Sequence, residues 1–319
     1  MLRHNSYSFL TGDTPFFSIE PVEEVSGRFV GQVLFEPHHE GFIGIPHGGL
    51  PMGLCLDAWR RAGTPSYPVR VAFRFGGSGI AIGDSAEFAA EYDDGNPEAP
   101  LVVRITKQGD KTPYLVAQIA PAGSADDLLQ LPTRPPDEFR LLPYYRNCFV
   151  CGHHRTVIGL KRRFRLHEPD GGPVVTAVWG DRGDDVDRAR LFVIGAEELH
   201  PTVLVSIFDE NIAWGGFMRT GAAGLSVRLE FTLLRPVGKY ERLLFVGWPT
   251  GIRGNPRAPR FFKAQGTILS TVDPQAPEPV AYGAGEWIVV PMYTEQIKEN
   301  LLPEDDWSWI FSSPRNGFP

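Results

Sequence analysis

The sequence has 319 residues, a length that favours two domains over one. Its 42% hydrophobic and 22% charged residues are those of an ordinary soluble globular chain and exclude a mostly disordered one. A net charge of -7 excludes nucleic acid as the main partner, because phosphate binding needs a basic face. No apolar run approaches the roughly 18 residues of a membrane span, and the start Met1 to Phe9 has no apolar signal-peptide core. Three cysteines are too few, and odd in number, for a disulfide framework, so a cytoplasmic protein is expected.

The 35 glycines and 29 prolines make up about a fifth of the chain, against roughly an eighth on average, and they break it into short elements. Residues 27–35 alternate well enough for a strand. Val69, Val71, Phe73 and Phe75 share one face of a strictly alternating run. Strands follow at 85–92, 101–107 and 114–120, the last two joined by a hairpin turn at 108–111. Between the first two strands, a helix starts near His47-Gly48-Gly49 and ends at Gly63. It is apolar around nearly its whole circumference, the mark of a helix buried on all sides.

The second half repeats this plan. Strands are expected at 160–166 and 173–179, then an apolar helix over 200–214. An alternating strand follows at 225–231, then strands at 243–248, 260–269 and 280–289. The common order is a weak internal repeat of about 140 residues. The expected division is an N-terminal domain 1–125, a Pro-rich linker 126–146, a C-terminal domain 147–294 and a tail 295–319. Trp307, Trp309 and Phe311 in the tail should dock on the body, since large aromatics in a row are a liability when exposed.

Three segments carry a resemblance: Ile45-Pro46-His47-Gly48-Gly49-Leu50, Asn147-Cys148-Phe149-Val150-Cys151-Gly152 with Gly159-Leu160, and Phe208 to Trp214. In these the chain resembles the acyl-CoA thioesterase-like hotdog superfamily, in its phenylacetate-type branch. The resemblance implies an α+β tandem, or double, hotdog fold, in which each curved antiparallel sheet wraps one central helix. It implies an active site between the two repeats, where a glycine N–H at a helix start holds the thioester carbonyl. An acid from the partner helix then activates water or attacks. A helix N-terminus suits a developing oxyanion on physical grounds, and a carboxylate in an apolar helix is costly unless paired or used.

That family spaces glycine and acid eight positions apart. Asp209 lies eight after Pro201, which has no N–H to give. Gly48, with Gly49 behind it, has Leu56 eight positions on, and Asp57 is one residue late, roughly 100° around the helix. The two defects are complementary, so one working site is expected, made of Gly48 and Asp209, with Gly49 and His47 in the same turn. Phe208, Ile212, Trp214, Asp57 and Glu210 are the expected substrate-binding residues. Coenzyme A enters only as part of the substrate, with no other cofactor. Cys148-x-x-Cys151 with His153 and His154 has zinc-like spacing, but a single such pair assigns no metal. The runs Lys161-Arg162-Arg163 with Arg165, and 251–257 with Arg260, read as solvated faces or as contacts to the phosphates of coenzyme A. The expected partner is an acyl-CoA or another acyl thioester, and the double units can pair into a homo-oligomer. Two rival readings are a non-catalytic binder of acyl thioesters or apolar ligands, and a hydratase or dehydratase with His47 as base.

Overall fold

The computed structural model describes residues 17–19, 23–25, 28–63, 66–92, 99–122, 138–169, 172–180, 192–194, 197–255, 258–303, 307 and 309–311. In the first half these form β1 (Arg28–Leu34), α1 (Gly49–Ala62), β2 (Val69–Phe75), β3 (Ser85–Tyr92), β4 (Leu101–Lys107) and β5 (Leu115–Pro121). The second half forms β6 (Arg165–His167), β7 (Val174–Trp179), α2 (Pro201–Thr220), β8 (Gly224–Leu233), β9 (Leu243–Asn255), β10 (Ala258–Ser270), β11 (Glu278–Val289) and α3 (Pro291–Asn300).

These eleven strands belong to one antiparallel sheet, in the order β1-β3-β4-β5-β2-β8-β11-β10-β9-β7-β6. From the centre outward the two halves mirror each other: β2-β5-β4-β3-β1 on one side, β8-β11-β10-β9-β7 on the other. The seam pairs Val69 with Leu233 and Arg74 with Arg228. It joins the two alternating strands that carry an internal arginine. Their apolar faces, with Val71, Phe73, Leu229 and Phe231, feed one continuous core.

Each half wraps its helix. Helix α1 packs on β3, β4 and β5, and α2 on β7, β9 and β10. Within the wrap of this one sheet the two helices run antiparallel and cross at small residues. A Cβ on Gly49 would lie 2.1 Å from Ser206 Oγ, and one on Gly53 2.0 Å from Thr202 Oγ1. These contacts bring the start of α1 beside the middle of α2.

Helix α2 runs past the expected end at Trp214 to Thr220, where Gly221 at φ +65° closes it. The continuation is possible because Gly216 leaves room for the Phe262 ring, 2.0 Å from where a Cβ would stand. The strand expected at 160–166 is reduced to β6. The Leu160 and Arg162 N–H groups bond instead to the Phe149 and Val150 carbonyls, and Lys161 takes a left-handed φ of 52°. Arg162 is buried rather than solvated, donating to the carbonyls of Leu160 and Val178 at 2.7 and 2.8 Å. Within the expected linker, residues 142–145 are buried; Arg140–Leu141 pairs with β6, and Tyr144–Tyr145 pairs with Leu301–Leu302. The 125/126 boundary lies outside the described residues. In the tail Ile310 and Phe311 are buried. No helix among the described residues is long and apolar enough to cross a membrane.

Candidate active site

A cavity of about 460 Å³ opens at the start of α1, on the far side of which stands α2. His47, Gly48, Asp209, Glu210 and Trp214 line it, with an apolar wall that includes Phe75, Ile80, Phe217 and Ile288. Helix α3 closes one side through Tyr293 and Ile297.

Gly48 and Asp209 meet here. A Cβ on Gly48 would lie 3.0 Å from Asp209 Oδ2. Gly48 already has helical angles, φ -55° and ψ -31°, at the N-cap of α1. The turn's own hydrogen bonds use the next two N–H groups. Gly49 donates to His47 Nδ1 at 3.0 Å and Leu50 to the His47 carbonyl at 2.9 Å. The Gly48 N–H thus stands at the positive end of the helix dipole, in a residue that lines the cavity.

The Asp209 carboxyl is buried, and burial pushes its pKa up to about 6. His47 and hydrogen bonds from the Ser226 hydroxyl and the Trp287 indole oppose that rise, and Glu210 adds to it. Ser226 Oγ donates to Asp209 Oδ1 at 3.0 Å from β8. Tyr114, just before β5, lines the same cavity, and its hydroxyl is pushed up by burial and by the Asp209 charge. Ser226, Trp287 and Tyr114 carry no local motif, which is why sequence reasoning passed over them.

Glu210, expected to bind substrate, lines the cavity and belongs to this cluster. Its Oε2 lies 3.3 Å from His47 Nε2, and the Cys148 thiol donates to the same oxygen at 3.3 Å. Cys148 is brought there by a turn whose Phe149 N–H donates to the Glu40 carbonyl at 2.7 Å, tying it to the first half. His153 and His154 pack on Tyr144 instead of joining the cysteines at the cavity. The ligand atoms of His47, Cys148 and Glu210 lie within 4.8 Å of one another, a spacing a divalent metal could use. The hydrogen bonding favours another use. A backbone N–H can only donate, so His47 Nδ1 offers Gly49 a lone pair and Nε2 carries the proton. The trio is therefore a carboxylate receiving two donors.

Four expectations change. Asp57 does not line the cavity. It accepts from Arg61 Nε at 2.5 Å and from His200 Nε2 at 3.2 Å, at the opposite end of the helix crossing. Phe208 and Ile212 are fully buried against the sheet, close to Gly266, because α2 turns those faces to β10 rather than to the cavity. Gly49 has its N–H taken by His47, which leaves Gly48 as the donor of the pair.

No protein-family model matches the sequence, and no curated relative matches it. Solved structures do. A candidate thioesterase from Novosphingobium aromaticivorans is 18% identical, with a TM-score of 0.56 over 84% of this chain and 98% of that one. The tesB protein of Mycobacterium avium subspecies paratuberculosis is 15% identical, with a TM-score of 0.54 over 85% and 96%. The dehydratase domain of PpsC from Mycobacterium tuberculosis, in complex with C12:1-CoA, is 12% identical, with a TM-score of 0.51 over 83% and 95%. The chain accordingly has the α+β double hotdog fold, two hotdog units in tandem sharing one sheet through β2 and β8.

Proposed function

We propose that this chain hydrolyses an acyl thioester, with acyl-CoA as the substrate class. The observation that carries the reading is the meeting of Gly48, at the start of α1, with the Asp209 carboxyl from α2 in an apolar cavity. Among the similar structures one is a candidate thioesterase and another holds C12:1-CoA, so an acyl thioester is in keeping with the fold's neighbours.

The chemistry follows from the two groups. The thioester carbonyl accepts the Gly48 N–H, which stabilises the oxyanion as it forms. Asp209, ionised, takes a proton from a water that attacks the carbonyl carbon; a base with a pKa of about 6 is matched to neutral pH. The tetrahedral intermediate collapses, the carbon–sulfur bond breaks, and the departing thiolate takes up the proton. The products are a carboxylic acid and free coenzyme A. Ser226 holds the Asp209 oxygen that does not face Gly48. Trp214 and Phe217 offer the acyl chain an apolar wall.

Hydration with His47 as base is disfavoured, since both its ring nitrogens are engaged, one by Gly49 and the other by Glu210. The test is a panel of acyl-CoAs with a thiol reagent, run with the native chain and with Asp209→Asn. Thiol release that disappears in the variant is expected. Binding without release would favour the non-catalytic reading, and water addition to an enoyl-CoA would favour a hydratase.

A further inference from the structure

The hydrogen-bond chain behind the Gly48 turn has a twin in the same molecule, and the twin says what it is for. At the start of α1, Gly49 N–H donates to His47 Nδ1 and His47 Nε2 faces Glu210 of α2. At the start of α2, Thr202 N–H donates to His200 Nδ1 at 3.1 Å and His200 Nε2 faces Asp57 of α1 at 3.2 Å. Each helix start is thus held by a histidine whose outer nitrogen reaches a carboxylate ten positions along the other helix's equivalent. The relay belongs to the architecture of the helix pair.

The two copies differ where function would make them differ. Asp57 has a permanent counter-charge, Arg61 one turn on along α1, and lines no part of the cavity. Glu210 has Trp214 one turn on, and its second donor is the neutral thiol of Cys148. The first copy braces Pro201, which has no N–H. The second braces Gly48, which has one and faces Asp209.

We propose that Glu210 is a positioning residue: by accepting from His47 Nε2–H it fixes the tautomer and tilt of the ring, and so the direction of the Gly48 N–H at the oxyanion. Cys148 shares the role by occupying the remaining side of the Glu210 oxygen with a donor. A histidine free to flip would turn an N–H at the Gly49 N–H, and the turn would have to move. The inference rests on the hydrolase reading for its kinetic consequence, but the hydrogen-bond chain itself does not. Glu210 also has a second, electrostatic effect. Its charge is one of the groups facing Asp209, with His47, Tyr114, Ser226 and Trp287, and it raises the Asp209 pKa.

The experiment compares the native chain with Glu210→Ala and Glu210→Gln. In Glu210→Ala, kcat should fall on the order of 10²-fold, the loss typical of a small misplacement, while KM stays unchanged. Glu210→Gln keeps an acceptor for His47 and should recover much of kcat. In both, the acid limb of the pH profile should move to lower pH, because the charge that raises Asp209 is gone. A purely structural role would move neither the limb nor the split between kcat and KM. Long-range proton–nitrogen NMR on histidine-labelled protein should find His47 protonated on Nε2 in the native chain. An Nδ1 proton there, or an unchanged kcat in folded Glu210→Ala, overturns the proposal. If the native chain hydrolyses no thioester, the hydrolase reading fails, and the NMR result still decides the relay.

Discussion

His200 Nε2 stands 3.2 Å from Asp57 Oδ1, fully buried, at the end of the helix crossing opposite the cavity. Asp57 also accepts from Arg61, so this carboxylate is a structural anchor between α1 and α2. Asp57→Ala should destabilise the fold by roughly 3–5 kcal/mol, the cost of leaving a buried partner uncompensated. Activity per folded molecule should be kept. Asp209→Asn should do the reverse, lowering kcat/KM by about 10²- to 10⁴-fold, the usual contribution of a general base. Urea midpoints and initial rates on both variants check the pair; loss of activity in folded Asp57→Ala would break the assignment.

The pH dependence has two signs. Asp209 must be ionised to act as base, so kcat/KM should rise with pH and level off above about 6. Stability runs the other way. The folded-state pKa lies above the ordinary 3.8, so the stabilising, protonated form is fully present below pH 3.8 and is lost as pH rises through about 6. At neutral pH the buried charge costs at most about 3 kcal/mol, so Asp209→Asn should be more stable than the native chain there by up to that amount. The difference should vanish in acid. Denaturation midpoints of the two proteins from roughly pH 3, below the ordinary 3.8, to roughly pH 8, above the shifted value, test it.

Adjacent glycines should respond differently. Ala at Gly48 suits its helical backbone, but the new Cβ would lie 3.0 Å from Asp209 Oδ2, in the space the reacting carbon needs. Gly48→Ala should abolish turnover and leave the melting temperature almost unchanged. At Gly49 the Cβ would lie 2.4 Å from Ser206 Cα, so the two helices must part. Gly49→Ala should cost about 1–3 kcal/mol, as overpacking does. Equal melting temperatures for the two variants would contradict the crossing geometry.

Ser226 favours the charged form of Asp209 by donating to it. Ser226→Ala removes that donor, so the acid limb of kcat/KM should move to higher pH. The plateau should drop by roughly 10-fold, the value of a hydrogen bond to a charged group. A limb that stays in place would mean that Ser226 does not hold the base.

Much of the architecture could be read along the chain, because it is written in local patterns. The strict alternation at 69–75 and 225–231 marked the two strands that form the seam. The all-round apolar character of 50–59 and 201–214 marked the two buried helices. The same all-round character hid which faces look where. Phe208, Ile212 and Trp214 are alike in hydrophobicity, yet only Trp214 reaches the cavity. The complementary loss of Gly48's acid and Asp209's glycine was legible only against the spacing that the family resemblance implies. The Cys148–Glu210–His47 cluster was not, because its members come from three segments that only the folded chain assembles. Residues 160–164 alternate like a strand, but their amides are claimed by the cysteine turn.

The covalent continuity of the two halves has an evolutionary meaning. Were the sheet a symmetric pairing of identical subunits, every substitution would strike both helix starts at once. A proline in place of the glycine at a helix start would stand in both copies. Joined in one polypeptide and zipped together at Val69 to Arg74, the halves are free to drift apart. One start has Pro201 and His200 beside an arginine-clamped Asp57, while the other sets Gly48 beside Asp209. Division of labour between near-copies is what fusion permits and symmetry forbids.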